Sequence, residues 1–113
     1  MKKDTKFFIE HILESIRLIE AYTKQVSKED FFETVYIQDA VIRRLEIIGE
    51  AVKNILPEVR DKYQDVPWRE IAGMRDVLIH EYFGVDLDLT WRVIKRDLPE
   101  LKQKLARIME EIT

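Results

Sequence analysis

Residues 35–56 read VYIQDAVIRRLEIIGEAVKNIL, and this stretch decides the fold. Its apolar side chains recur at helical spacing and occupy more than one stripe of the predicted helix. The first stripe holds Val35, Ile42, Leu45, Ile48, Val52 and Ile55. A second set widens the apolar surface well beyond one face: Ile37, Val41, Ile47 and Ala51. The helix must therefore bury two sides, either within one chain or against a second copy at a dimer seam.

The segment before this central helix shows the same spacing. An apolar stripe predicts a first helix over about residues 4–26, with Asp4 as its N-cap: Phe8, Ile12, Ile16, Ile19, Tyr22 and Val26. Ser27 and Asp30 resemble a capping box, which predicts that the second helix begins there and runs to about Leu56. Gly49 lies inside that helix, where glycine is unfavourable, so we expect another helix to cross closely at this point.

The C-terminal half predicts two more helices. Residues 57–66 are short and polar, and they predict one turn of helix and a loop. A third helix is predicted over about 67–83, because Pro67 suits a first helical turn and Gly84 suits the position after a helix end. One apolar heptad stripe runs past Pro99 without a phase shift and predicts a single kinked helix over about 88–112. The stripe consists of Trp91, Ile94, Leu98, Leu101, Leu105, Ile108 and Ile112.

These elements predict one all-α domain over residues 1–113. Its expected architecture is an up-and-down four-helix bundle, with a short extra helix between helices 2 and 3 and a kinked last helix.

The composition excludes several classes of site. The 113 residues include no cysteine, three glycines and two histidines, His11 and His80. Thiolate centres, disulfide frameworks, histidine-rich metal clusters and glycine-rich phosphate loops are therefore excluded.

With a net charge of -3, the protein lacks the surplus of basic residues that general nucleic-acid binders have, so any RNA contact must be local. No apolar stretch is long enough for a membrane span. We expect a cytoplasmic protein without a membrane contact, a metal or another cofactor.

One segment of the predicted third helix carries reactive groups. Residues 71–84 read IAGMRDVLIHEYFG and place a cation at Arg75, an imidazole at His80 and a phenol at Tyr82. Each has an ordinary structural explanation: an ion-paired arginine, a histidine at a helix C-terminus and a core tyrosine. Spacing alone does not distinguish these explanations from a shared site.

The geometry of a straight helix separates two of these groups. His80 would lie about 140° around the helix from Arg75, so the two side chains would diverge. The two residues can then act in one reaction only under one of three conditions. The helix unwinds near its end, the long arginine side chain bridges the gap, or a second copy of the segment supplies one of the two residues. We favour a symmetric dimer, because Gly73 permits close approach on the face that also carries Asp76 and His80.

The spacing of Arg75, His80 and Tyr82 resembles the R-x4-H-x-Y signature of HepT-like toxins, in the HEPN superfamily of helical ribonucleases. The similarity continues into the flanking sequence and spans the domain. It includes residues 68–75 (WREIAGMR), residues 81–86 (EYFGVD), Trp91 and Leu98-Pro99.

The resemblance implies a toxin that is a metal-independent RNA endonuclease and works as a homodimer, with an Arg and a His from each chain in one cleft. Arg75 would stabilise the negative charge on the scissile phosphate. His80 would serve as general acid or base for attack by the ribose 2′-hydroxyl, which leaves a 2′,3′-cyclic phosphate. Asp76 falls at a supporting polar position. Tyr82 matches the tyrosine that a cognate minimal nucleotidyltransferase antitoxin modifies with AMP, which would block and repel RNA.

Two other functions remain open from the residues alone. The chain could be a non-catalytic helical partner that binds a nucleotide or presents substrate to a nucleotidyltransferase, or it could be a dimerising structural bundle. A local basic rim is available for RNA, although exposed lysines and arginines are ordinarily only a solvated face. Its candidate members are Arg17, Lys24, Arg43, Arg44 and Arg69.

Overall fold

In the part of the chain that the structure describes, the fold is all-α apart from one hairpin with two residues in each strand. The computed structural model describes residues 2–80 and 84–112. Its α-helices are α1 (Lys2–Thr23), α2 (Lys28–Glu33), α3 (Val35–Lys53), α4 (Pro57–Lys62), α5 (Trp68–Ala72), α6 (Met74–Leu78), α7 (Leu87–Arg92) and α8 (Leu98–Ile112). A π-helical stretch, Val93–Asp97, joins α7 to α8. Strand β1 (Ile79–His80) pairs antiparallel with β2 (Gly84–Val85). The predicted all-α class and the short helix between the second and third predicted helices are confirmed.

The central helix α3 is covered by its own chain on two sides. It packs against α1 on one side and against α5 and α6 on the other, while α1 also packs against α8. Side chains from both apolar sets of α3 are buried, among them Leu45 and Val41. Val35 and Tyr36, at the start of α3, stay exposed. Burial inside one chain therefore accounts for most of the wide apolar surface of this helix.

The predicted second helix is divided at Thr34. The capping box at its start is present: the Ser27 hydroxyl accepts from the Asp30 backbone N–H, and the Asp30 carboxylate accepts from the Ser27 backbone N–H. The helix then ends after Glu33, and α3 begins at Val35. The Gln38 side-chain amide donates to the backbone carbonyls of Phe31 and Phe32, at 2.8 and 3.2 Å. This side chain satisfies carbonyls that a continuous helix would have satisfied, which offsets the cost of the break.

The prediction of one third helix over 67–83 is wrong. The structure has two five-residue helices, α5 and α6, separated by Gly73. Gly73 adopts φ -93° and ψ 4°, which lies outside regular helical geometry. The helix ends at Leu78 because Ile79 is extended and pairs with Val85. Gly84, predicted as a helix-ending residue, instead begins β2 with φ 78°, a conformation that favours glycine.

The last helix is continuous and irregular, as predicted. It begins at Leu87, widens into the π-helical stretch and continues as α8 to Ile112. Pro99 has no backbone N–H and its ring crowds the carbonyl four residues earlier, at Lys95. The wider turn over Val93–Asp97 lies at that point and relieves the conflict. Ile94, Leu98 and Leu105 stay buried, so the apolar stripe keeps its direction across the proline.

Gly49 marks the predicted close crossing. A Cβ atom at this position would lie 3.3 Å from the Ile71 carbonyl oxygen and 3.5 Å from that of Ala72. The end of α5 therefore rests directly on the backbone of α3.

None of the helices described here is long and apolar enough to span a lipid bilayer.

We predict that Gly49→Val destabilises the fold. The γ-methyl groups of the valine would push against the two carbonyl groups at the end of α5. Overpacking of this kind lowers the free energy of unfolding by about 1–3 kcal/mol. The measurement is urea unfolding followed by circular dichroism. Gly73→Ala is the matched control, since its Cβ would lie 3.5 Å from the Arg69 carbonyl oxygen, an ordinary contact. Wild-type stability for Gly49→Val would show that the crossing is not tight.

Candidate active site

Arg75 lies on α6 and reaches across to α3. Its Nε donates to Glu46 Oε2 at 2.6 Å. The Arg75 side chain is 60% exposed and that of Glu46 is 27% exposed. The hydrogen bond to Glu46 raises the pKa of Arg75, and the negative charges of Glu46 and Asp76 act in the same direction. The guanidinium is therefore charged, oriented by a carboxylate and accessible from solvent.

A polar groove surrounds Arg75. We call it the Arg75 groove; it lies between α3 and the α5–α6 segment and has a volume of about 400 Å³. Three cationic and three anionic side chains line it: Arg43, Lys53, Arg75, Glu46, Glu50 and Asp76. Lys53 pairs with Glu50 at 3.0 Å. Asp76, the predicted supporting residue, therefore lies in the same groove as Arg75 and is exposed.

The backbone at His80 differs from the expected helix. Because α6 ends at Leu78, the angle of about 140° that a helix would impose between Arg75 and His80 does not apply. His80 instead lies in β1, paired with Gly84. The side chain of His80 and all of Tyr82 lie outside the described residues. The helix thus unwinds before His80, which is one of the three conditions under which Arg75 and His80 could act in one reaction.

The segment that carries His80 is held at both ends. The Asp86 backbone N–H donates to the Leu78 carbonyl at 2.7 Å, which joins the two ends of the hairpin. Leu78 is buried in the core. The Asp86 carboxylate accepts from the Leu89 N–H at 3.0 Å and caps α7. One residue thus closes the hairpin and starts the last helix.

The proposed basic rim is only partly assembled around Arg75. Arg43 lines the Arg75 groove, whereas Arg17 is bound to Glu14 on α1. Lys24, Arg44 and Arg69 are not among the described residues that line this groove. The rim is therefore reduced to Arg43 at this site.

The outer face of α6 is exposed and partly apolar. Val77 is exposed, and Asp76 lies beside it on the surface. An apolar groove of about 350 Å³ runs between α6 and the last helix, lined among others by Met74, Val77 and Val93. Ile71 and Leu78, on the same segment of the chain, are buried in the core. The α6 surface thus combines an exposed valine with an adjoining apolar groove.

Two residues of the site were not found from the sequence. Glu46 belongs to no motif, but it precedes Gly49 by three residues and so shares the helix face of the close crossing. A carboxylate one turn before a crossing glycine is the signal that would have indicated it. Asp86 precedes the apolar start of α7, and Asp at that point is a typical N-cap.

Comparisons with known proteins agree on one family. The family model described as "Ribonuclease HepT-like" matches residues 12–108. A protein of Thermococcus cleftensis, provisionally named as a ribonuclease HepT, is 48% identical over 108 residues, covering 96% of this chain and 98% of its own. A provisionally named RNase of Caldanaerobacter subterraneus subsp. tengcongensis is 45% identical over 109 residues, covering 96% and 97%.

A longer relative occurs in Methanocaldococcus jannaschii, with a name that combines a gamma-glutamylcyclotransferase and a provisional RNase. It is 59% identical over 112 residues, covering 99% of this chain and 50% of its own. The chain therefore spans half the length of that relative. No solved structure has significant similarity to the chain.

We predict that Asp86→Ala destabilises the protein by about 1 kcal/mol, because α7 loses its N-cap acceptor. Asp86→Asn keeps a side-chain oxygen at the same position and should stay close to wild type. Urea unfolding measures the stability, and amide hydrogen exchange at Leu89 reports the cap itself. Equal destabilisation by both substitutions would contradict the capping role.

Proposed function

This chain belongs to the HepT-like ribonuclease family, and on that premise we propose that it is a metal-independent RNA endonuclease and the toxin of a toxin–antitoxin module. The observation that supports this most is the accessible guanidinium of Arg75, which lies in a polar groove five residues before His80. The proposal places the protein in the cytoplasm, where its RNA substrate and a nucleotide donor are both present.

The proposed reaction is transesterification at a ribose 2′-hydroxyl. The 2′-oxygen attacks phosphorus as the bond from phosphorus to the 5′-oxygen breaks, which leaves a 2′,3′-cyclic phosphate and a 5′-hydroxyl. His80 takes the proton from the 2′-hydroxyl or supplies one to the leaving oxygen. Arg75 stabilises the negative charge that develops on the phosphate oxygens. Asp76, one residue further along α6, supports the positive charge of Arg75.

Substrate binding requires Arg75 to exchange Glu46 for a phosphate. The pair is exposed to solvent, and ion pairs of this kind contribute little to stability because water screens both charges. A phosphate diester offers the guanidinium two oxygens in one plane, the geometry that arginine binds best. Glu46 thus holds the guanidinium in place without blocking the exchange.

A homodimer completes the proposed site. In this arrangement one cleft contains Arg75 and His80 from each of two chains. The exposed Val77 and the apolar groove beside it are a surface that a second copy of α6 would cover. Leu78 and Asp86, which join the two ends of the hairpin, then lie near the same interface.

Tyr82 is the proposed point of control. A cognate minimal nucleotidyltransferase antitoxin transfers AMP to its phenol, with loss of pyrophosphate from ATP. The added phosphodiester is negatively charged and bulky, so it repels RNA and fills the cleft. Tyr82 is two residues from His80, which makes this position effective for blocking the site.

We predict that the purified protein cleaves RNA in the presence of EDTA and that Arg75→Ala or His80→Ala abolishes cleavage. Arg107→Ala is the matched control. Arg107 is also exposed, and it also binds a carboxylate at 2.6 Å, that of Asp65 in the loop between α4 and α5. Gel analysis of a labelled RNA gives the activity, and mass spectrometry of the products identifies the cyclic phosphate. EDTA-sensitive cleavage, or full activity of Arg75→Ala, would contradict the mechanism. An inactive wild type that binds nucleotides would favour the non-catalytic alternative.

We predict that co-expression with a cognate minimal nucleotidyltransferase adds the mass of one or more AMP units to the wild type and to Tyr36→Phe, but not to Tyr82→Phe. Tyr36 is 76% exposed, so it controls for accessibility alone. Intact-protein mass spectrometry measures the addition, and peptide mapping assigns it. An adduct on Tyr36, or an adduct on Tyr82→Phe, would contradict this assignment.

A further inference from the structure

A second groove adjoins the Arg75 groove on the other side of α3. We call it the α1–α3 groove; its volume is about 320 Å³, at the lower end of the range for small-molecule sites. Arg43, Glu46 and Glu50 line both grooves. The two grooves therefore form one continuous surface across α3, and Glu46 lies at their junction.

Two rings on α1 form one wall of this groove. The Phe7 and His11 rings lie 4.5 Å apart, centre to centre, at an angle of 58°. Phe7 also contacts the Phe8 ring edge-on at 5.3 Å, and Phe8 packs against the core. Phe7 is nevertheless 53% exposed. A planar ring that is fixed by its neighbours but open to water is a suitable surface for stacking.

The charges around these rings leave one cation available. Glu46 is bound by Arg75 and Glu50 by Lys53. Arg43, in contrast, has no ion pair with any residue in the described part of the chain. The surface is therefore close to neutral, with one guanidinium between the rings and Arg75. Such a surface suits an uncharged planar group joined to a single phosphate better than it suits several phosphates.

We propose that the α1–α3 groove is a base-binding subsite for single-stranded RNA. A nucleobase stacks on Phe7 and His11, Arg43 contacts the adjoining phosphate or stacks on the base, and the strand continues across α3 to Arg75. Stacking on aromatic rings and on arginine is how proteins hold unpaired bases. The volume of the groove is sufficient for one base with its sugar. This inference rests on the proposed function, since RNA is the assumed ligand.

The test is binding of short RNA oligonucleotides with 2′-O-methyl groups, which the proposed reaction cannot cleave. Fluorescence anisotropy compares an oligonucleotide that carries bases with one of equal length and charge that is abasic. The wild type should bind the first more tightly. Phe7→Ala should reduce that affinity about tenfold and leave the abasic affinity unchanged, because only the stacking is lost. Phe7→Trp should retain the preference for bases.

Tyr36→Ala is the matched control, since it removes another exposed aromatic side chain, one that does not line the α1–α3 groove. It should bind both oligonucleotides as the wild type does. Equal affinity of Phe7→Ala and wild type for the base-containing oligonucleotide would overturn the subsite. Dissociation of a dimer by Phe7→Ala, measured by sedimentation, would also overturn it, because a second copy would then be the occupant.

The outcomes separate this inference from the ribonuclease proposal. Cleavage that depends on Arg75, combined with no effect of Phe7→Ala on affinity, overturns the subsite and leaves the ribonuclease intact. Binding of bases that depends on Phe7, without any RNA cleavage, supports the subsite and contradicts the nuclease.

Discussion

The close contact at Gly49 is the constraint on which the site depends. Because this residue has no side chain, the carbonyl groups of Ile71 and Ala72 rest on the backbone of α3. That contact fixes the end of α5 and, three residues later, the position of Arg75. Glu46 lies one helical turn before Gly49, on the same face, and so meets the guanidinium. Even a single Cβ atom at the crossing would press on the Ile71 carbonyl oxygen at 3.3 Å, so little space is available there for a side chain.

In the proposed site, the ion pair between Arg75 and Glu46 is what lets an acidic protein accept an anionic ligand. A net charge of -3 opposes general attraction of RNA, but the proposed site needs only local groups to bind a phosphate diester. Around Arg75 the charges are balanced, and the exposed pair is weak enough to be exchanged. The remaining guanidinium, Arg43, lies between Arg75 and the rings of α1. The proposed path for RNA across α3 therefore needs no broad basic surface.

The sequence predicted the helices well where their signals were local. The apolar stripes located the first, central and last helices, the capping box at Ser27 was correct, and Pro99 indicated an irregular turn. The predicted end of the third helix lies too far along the chain, because periodicity cannot show that Ile79 leaves the helix to pair with Val85. A hairpin of two residues per strand is too short to leave a repeating pattern. The same reason explains why the hydrogen bond from the Asp86 backbone to Leu78 was not predicted, whereas the N-cap role of Asp86 did have a local signal.

The sequence by itself determined the all-α class, the close crossing at a glycine and the motif that identified Arg75. Tertiary structure alone decided that Glu46, 29 residues away, holds Arg75, and that the α1 rings adjoin the same groove through Arg43. The physical reason is the range of each interaction. Helix periodicity, capping and backbone freedom act between residues a few positions apart, so they are visible in the chain. Contacts between helices depend on how distant segments pack, and that arrangement exists only in the folded protein.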